Sequence, residues 1–145
     1  MLATALALAI AAPPDGEPSV SAVRVREAVR VDGLLAEAVW SSASPATGLR
    51  QREPREGAEA TEATEIRVLY DDTTLYVGVR ALDREPDRVI ARLLQRDRIL
   101  LAGIDNQARW AGDDGVAILL DPFHDNRNAF LFATNPNGAE FDALV

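Results

Sequence analysis

The sequence predicts an all-β protein, an antiparallel β-sandwich, on two observations. Hydrophobic residues alternate with period two through several short runs, and clusters of turn-forming residues separate those runs. Val23 and Val25 alternate with Arg24 and Arg26, and a second run, Ala28 to Val31, stops at the turn dipeptide Asp32-Gly33. Leu34 to Trp40 reads as a helix of about two turns, with Leu35 and Val39, and Leu34 and Ala38, four apart on one side. That is too short to stand without packing, and Trp40 is expected to anchor it in the core. Thr47 to Thr64, with Pro54 and Gly57, is a polar loop holding at most an edge strand.

The signal then sharpens. Ile66, Val68 and Tyr70 alternate with their neighbours, Asp71 to Thr74 make a turn, and Leu75, Val77, Val79 and Ala81 alternate again, which predicts a β-hairpin. Asp83 to Asp87, with Pro86, ends it. Val89 to Asp97 has the i, i+3, i+4 spacing of a helix at Ile90, Leu93 and Leu94, and Arg98 to Gly112 is a long polar connection. Gly115 to Leu120 is apolar on both faces, as in a strand covered on each side. Asp121 to Asn126 turns the chain, and Asn128 to Thr134 returns it with Phe130 and Phe132 on one face. Asn135-Pro136-Asn137-Gly138 is a strong turn signal, with Pro pre-set for the second position and Gly free to take positive φ. Ala139 to Val145 begins another strand and stops on an apolar pair. Exposed apolar edges are a liability, so further strands are expected to follow and the sandwich is expected to be incomplete.

Composition narrows the function classes. The 145 residues carry 15 basic and 23 acidic side chains, a net charge of −8, and every basic residue is a scattered Arg. That balance repels phosphate backbones and argues against nucleic acid as a partner. The chain has no cysteine, one histidine and one methionine, which removes disulfides, zinc-thiolate sites, thiol nucleophiles and most haem ligation.

Residues 1–12 are expected to be a signal peptide. Leu2 to Ala12 is a short uncharged apolar run, well under the ~20 residues of a spanning helix, and Ala9 and Ala11 form an A-x-A pattern before Pro13. Residues 13–19 read as a linker and 20–145 as the sandwich domain. Export to the periplasm, the cell surface or the medium follows from that reading.

Four runs carry a family resemblance: Val29 to Trp40, Ile66 to Asp83, Trp110 to Asp121 and Phe130 to Ala139. In this order they resemble a carbohydrate-binding module of family nine, of the type found at the N-terminus of bacterial surface proteins ahead of an outer-membrane barrel. The resemblance implies a jelly-roll-like sandwich and a noncatalytic role in polysaccharide breakdown, accessory to a hydrolase or a membrane-barrel protein. It also implies a strand over Val89 to Asp97, where the spacing alone favours helix, and sometimes a structural calcium.

Polysaccharide or oligosaccharide would be the ligand, gripped by tryptophan. A sugar ring offers a C–H face to an aromatic plane and hydroxyls to a few aimed polar groups. Trp110 stands in the W-x-x-D position that the resemblance marks for stacking, with Asp113 and Asp114 following as sugar-binding candidates. The sequence departs from the family at Ala117, where a glutamate is expected, and over Leu131 to Ala133, where an arginine is expected. The second tryptophan of the clamp would lie beyond Val145.

The other polar groups have simpler explanations. His124 fits a solvated loop, and Asp71, Asp72, Asp121, Asp125, Asn126 and Asn128 fit turns and caps, since the last four lack the spaced pattern of a calcium loop. A catalytic triad has only His124 to draw on. The alternative to sugar binding is a structural or interaction domain that packs on an outer-membrane barrel.

Overall fold

A computed structural model of the chain describes residues 19–51, 54–96, 101–102, 109–110, 113–125 and 127–145. The expected signal peptide, and most of the expected linker, lie outside them. The architecture is mostly β, with no α-helix among the described residues and two three-stranded sheets, one of them mixed. The chain divides into two compact units, Met1–Asp83 and Arg84–Val145.

The first unit holds β1 (Ala22–Arg24), β2 (Thr64–Tyr70) and β3 (Leu75–Ala81), in the order β1-β2-β3. β2 and β3 form the hairpin expected from the alternation, paired from Thr64 with Ala81 to Tyr70 with Leu75. Asp71 shapes the turn. Its Oδ1 accepts the amides of Thr73 (2.7 Å) and Thr74 (2.8 Å), and its Oδ2 accepts the Tyr76 hydroxyl (2.8 Å). These bonds, the Thr73 amide foremost and the Tyr76 hydroxyl next, pull the Asp71 carboxyl from 3.8 down to about 2.

β1 departs from the antiparallel expectation, because it pairs in parallel with β2, Val23 opposite Leu69. The long stretch between β1 and β2 supplies the crossover that parallel strands need. Beyond β1, Ala46 continues the cover of the same edge, exchanging both backbone bonds with Ile66 (2.8 and 2.9 Å).

The predicted helix at Leu34 to Trp40 is replaced by a 3₁₀ turn, Ala38–Ser42. Local side-chain bonds compete with the helix: Asp32 accepts the Leu34 amide (3.0 Å), and Glu37 reaches back to the Arg30 amide (3.0 Å). The second expectation for this segment holds, since Trp40 is buried, with Val25, Ala43 and Leu69, as the core of this unit. Leu69 is fully buried on β2.

Trp40 packs against Gly78 of β3, so close that a Cβ there would come within 2.7 Å of Cζ3 of the indole. Nε1 of Trp40 and Oε2 of Glu37 are buried and make no close hydrogen bond. The Arg30 amide, then Glu37's own amide, hold the Glu37 carboxyl below its ordinary range.

The second unit holds a short hairpin, β4 (Leu101–Ala102) with β5 (Arg109–Trp110), and the sheet β6 (Val116–Leu120), β7 (Phe130–Thr134) and β8 (Glu140–Leu144). The sheet is an antiparallel meander in the order β6-β7-β8. Its β7–β8 turn is the predicted one: the Gly138 amide donates to the Asn135 carbonyl (2.9 Å), and Gly138 takes φ +74°. The expectation that β6 is covered on both faces is not met, because Leu119 is 63% exposed. Residues 89–96 form neither the helix that their spacing favours nor the strand that the resemblance implies.

Two predictions test the first unit. Gly78→Ala should lower stability by about 1–3 kcal/mol, because an indole wedged against backbone has little room to retreat; a urea midpoint equal to that of the parent chain would contradict this packing. Because the folded pKa of Asp71 lies below its ordinary value, its contribution is full above about pH 4 and fades as the pH falls toward about 2. Unfolding followed across that window should show the stability gap between the parent chain and Asp71→Asn closing with acid.

Candidate functional site

The residues singled out at 110–114 stand in the second unit. Trp110 ends β5, its backbone paired with Leu101. Asp113 follows at the mouth of β6 and is only 8% exposed. Burial of a carboxylate demands donors, and three groups supply them. The Arg92 amide donates to both oxygens (3.0 Å each), the Leu93 amide to Oδ2 (2.9 Å) and Asn135 Nδ2 to the same oxygen (2.9 Å). The Leu93 amide is the largest influence that holds the Asp113 carboxyl below its usual range, and Asn135 and the Arg92 amide add to it.

Asn135 completes the arrangement. It is buried in the β7–β8 turn, and its Nδ2 also donates to the Leu93 carbonyl (2.9 Å) while its Oδ1 accepts the amides of Asn137 (3.1 Å) and Ala139 (2.9 Å). Asn137 sends Nδ2 to the Ala91 carbonyl (2.8 Å) and, at longer range, to that of Leu93 (3.4 Å). Asp114 binds the same segment by its amide, which donates to the Ile90 carbonyl (2.8 Å), and by Oδ2, which accepts the Ile90 amide (2.7 Å).

Residues 90–93 join no sheet, so their polar backbone groups need partners elsewhere. A carboxylate with four lone-pair sites and two carboxamides that both donate and accept meet that need. The structure thus brings the candidates Asp113 and Asp114 together on one segment, residues 90–93. Asn135 and Asn137 were legible in the sequence only as turn residues, since nothing in a turn motif shows what its side chains will meet.

The two positions at which the resemblance led to the expectation of charged groups lie side by side on the sheet. Ala117 of β6 lies directly opposite Ala133 of β7, and Leu119 opposite Leu131. An acidic group at 117 and a basic one on β7 would have been cross-strand neighbours, and here that face is wholly apolar.

The opposite face of the sheet holds a cleft of about 390 Å³ floored by Val116, Ile118 and Phe132. At its rim Arg96 pairs with Asp142 (2.6 Å) and Glu140 (3.6 Å). In the first unit a groove of about 600 Å³ runs between Val23, Val25 and Val39, with Glu27, Glu37 and Ser42 along it.

The loop acids serve the loop, as expected. Asp121 Oδ1 accepts the Phe123 amide (3.2 Å), and Asp125 accepts the amides of Arg127 (2.9 Å) and Asn128 (3.1 Å), while His124 takes a left-handed φ of 52°. Asn126 lies outside the described residues. Among the described residues no three His, Asp or Glu side chains converge to hold a metal ion, and no helix is long and apolar enough to cross a membrane. No protein family, curated protein or solved structure matches the chain.

Replacing Asp113 with Ala should free the 90–93 segment: the Arg92 and Leu93 amides should exchange with deuterium roughly tenfold faster or more, because each loses its acceptor. Unchanged protection at those two amides would show that Asp113 does not hold the segment.

Proposed function

We propose that the chain is an exported, noncatalytic carbohydrate-binding domain of jelly-roll-like design, which holds a hydrolase or a membrane-barrel protein close to polysaccharide. Trp110 would stack on a sugar ring. The observation that carries this reading is the W-x-x-D-D run: it sets an aromatic residue at the end of β5, three residues ahead of a buried carboxylate that is tied to backbone amides. Preorganised backbone next to an aromatic platform favours sugar binding, because ordering costs are met before the ligand arrives. In this reading Asp114 is the better placed of the two acids to meet a sugar hydroxyl, being exposed where Asp113 is buried.

A second reading, an interaction domain seated on an outer-membrane barrel, is favoured by one observation. The β6-β7-β8 sheet has one wholly apolar face, with Leu119 exposed on it, and on the other Phe130, Phe132 and Leu144 are exposed beside Glu140 and Asp142; exposed apolar patches of this kind mark interfaces.

Titration calorimetry of the chain with glucose, cellobiose and xylo-oligosaccharides should give saturable binding that Trp110→Ala weakens by roughly tenfold or more, the scale of one lost aromatic contact. Absence of binding to all three would reject the first reading. Crosslinking to a membrane-barrel partner that survives Trp110→Ala would support the second.

A further inference from the structure

Asn137-Gly138 is the only Asn-Gly pair in the chain, and it sits in the β7–β8 turn, whose side chains fasten residues 91 and 93. Asn137 is exposed, so water reaches its amide. Gly138 has no Cβ to obstruct an approach of its own nitrogen to the Asn137 side chain, and an added Cβ would in any case be strained at φ +74°. The other turn asparagine, Asn135, is buried and precedes Pro136, whose nitrogen carries no hydrogen and cannot take part. Asn128 precedes Ala129, whose amide is held by the Val145 carbonyl at 2.8 Å and whose methyl crowds the approach.

We propose that Asn137 is a spontaneous deamidation site and that its conversion loosens residues 90–93 from the turn. The Gly138 nitrogen leaves the Asn135 carbonyl as the turn opens and attacks Cγ of Asn137. An N–Cγ bond forms, the Cγ–Nδ2 bond breaks, and ammonia departs with the proton that Gly138 gives up. Water then adds to one of the two carbonyls of the resulting five-membered imide and opens it to aspartate or isoaspartate. No other reactant is required.

The product reverses the chemistry of the contact. Nδ2 of Asn137 donates to the carbonyls of Ala91 and Leu93; a carboxylate has no hydrogen to donate and repels both oxygens. The isoaspartate form also lengthens the backbone inside a turn that the Gly138 amide closes onto Asn135. Asn135 and Asp113 keep their own bonds to the segment, so the fold persists while residues 90–93 gain freedom.

Ageing the full chain in mildly alkaline buffer at body temperature tests this. The peptide that contains Asn137 should gain about 1 Da and divide into aspartate and isoaspartate forms, while the peptide that contains Asn128 stays unchanged. The aged fraction, and separately the Asn137→Asp variant, should exchange the amides of Ile90, Arg92 and Leu93 roughly fivefold faster, the scale of one hydrogen bond lost. An Asn137 that converts in the urea-unfolded chain and not in the folded one would overturn the site. Conversion without faster exchange at 90–93, in both the aged chain and the variant, would overturn the loosening.

Discussion

The buried Asp113 carboxylate is the constraint on which the second unit depends. A stretch of backbone that belongs to no sheet must still satisfy its amides, and those of Ile90, Arg92 and Leu93 turn to Asp113 and Asp114. Burying a charge would be costly if it stood alone. Surrounded by two backbone amides and the Asn135 carboxamide it is well satisfied, and it stays ionised because every neighbour is a donor. The same geometry decides its role: a carboxylate whose oxygens face the chain's own backbone sets the position of what it binds, here residues 92 and 93.

The first unit rests on a different kind of constraint, the fit of one ring to one missing side chain. Trp40 packs where Gly78 leaves β3 without a Cβ, and Leu69 closes the core from β2. Dense packing of this sort tolerates little change of volume. It also explains why a segment of low helical content can hold Trp40 in place: burial against the sheet stabilises the single turn that local hydrogen bonds could not extend.

The β6-β7-β8 sheet connects fold to function. β6 itself is apolar on both sides, and the register sets Ala117 against Ala133 on one face of the sheet and Ile118 against Phe132 on the other, where β8 adds Glu140 and Asp142. A sugar-binding surface needs directed polar groups beside its aromatic plane. On this sheet those groups are confined to the edges, at the Asp113-Asp114 end of β6 and at the Arg96, Glu140 and Asp142 rim. That placement divides the candidate chemistry between the entry to β6 and the edge strand β8 and leaves the Ala117 and Ala133 face to packing.

Sequence alone determined the β character, the β2–β3 hairpin, the β7–β8 turn and the burial of Trp40, because alternation, turn residues and a lone large aromatic are local signals of side-chain period and backbone preference. It also marked Trp110, Asp113 and Asp114 as one constellation. Only the tertiary structure decided that β1 runs parallel to β2, that Leu34 to Glu37 forgoes a helix for bonds to Asp32 and Arg30, and that 89–96 is neither helix nor strand. The first and last of those outcomes turn on partners far along the chain: β1 finds Leu69, and Ala91 to Leu93 find Asp113, Asn135 and Asn137; the second is local, a competition between nearby side chains and the helix that the apolar spacing alone does not reveal. A sequence pattern records which face of a segment is apolar; which donor meets which acceptor across such a separation is settled when the chain closes on itself.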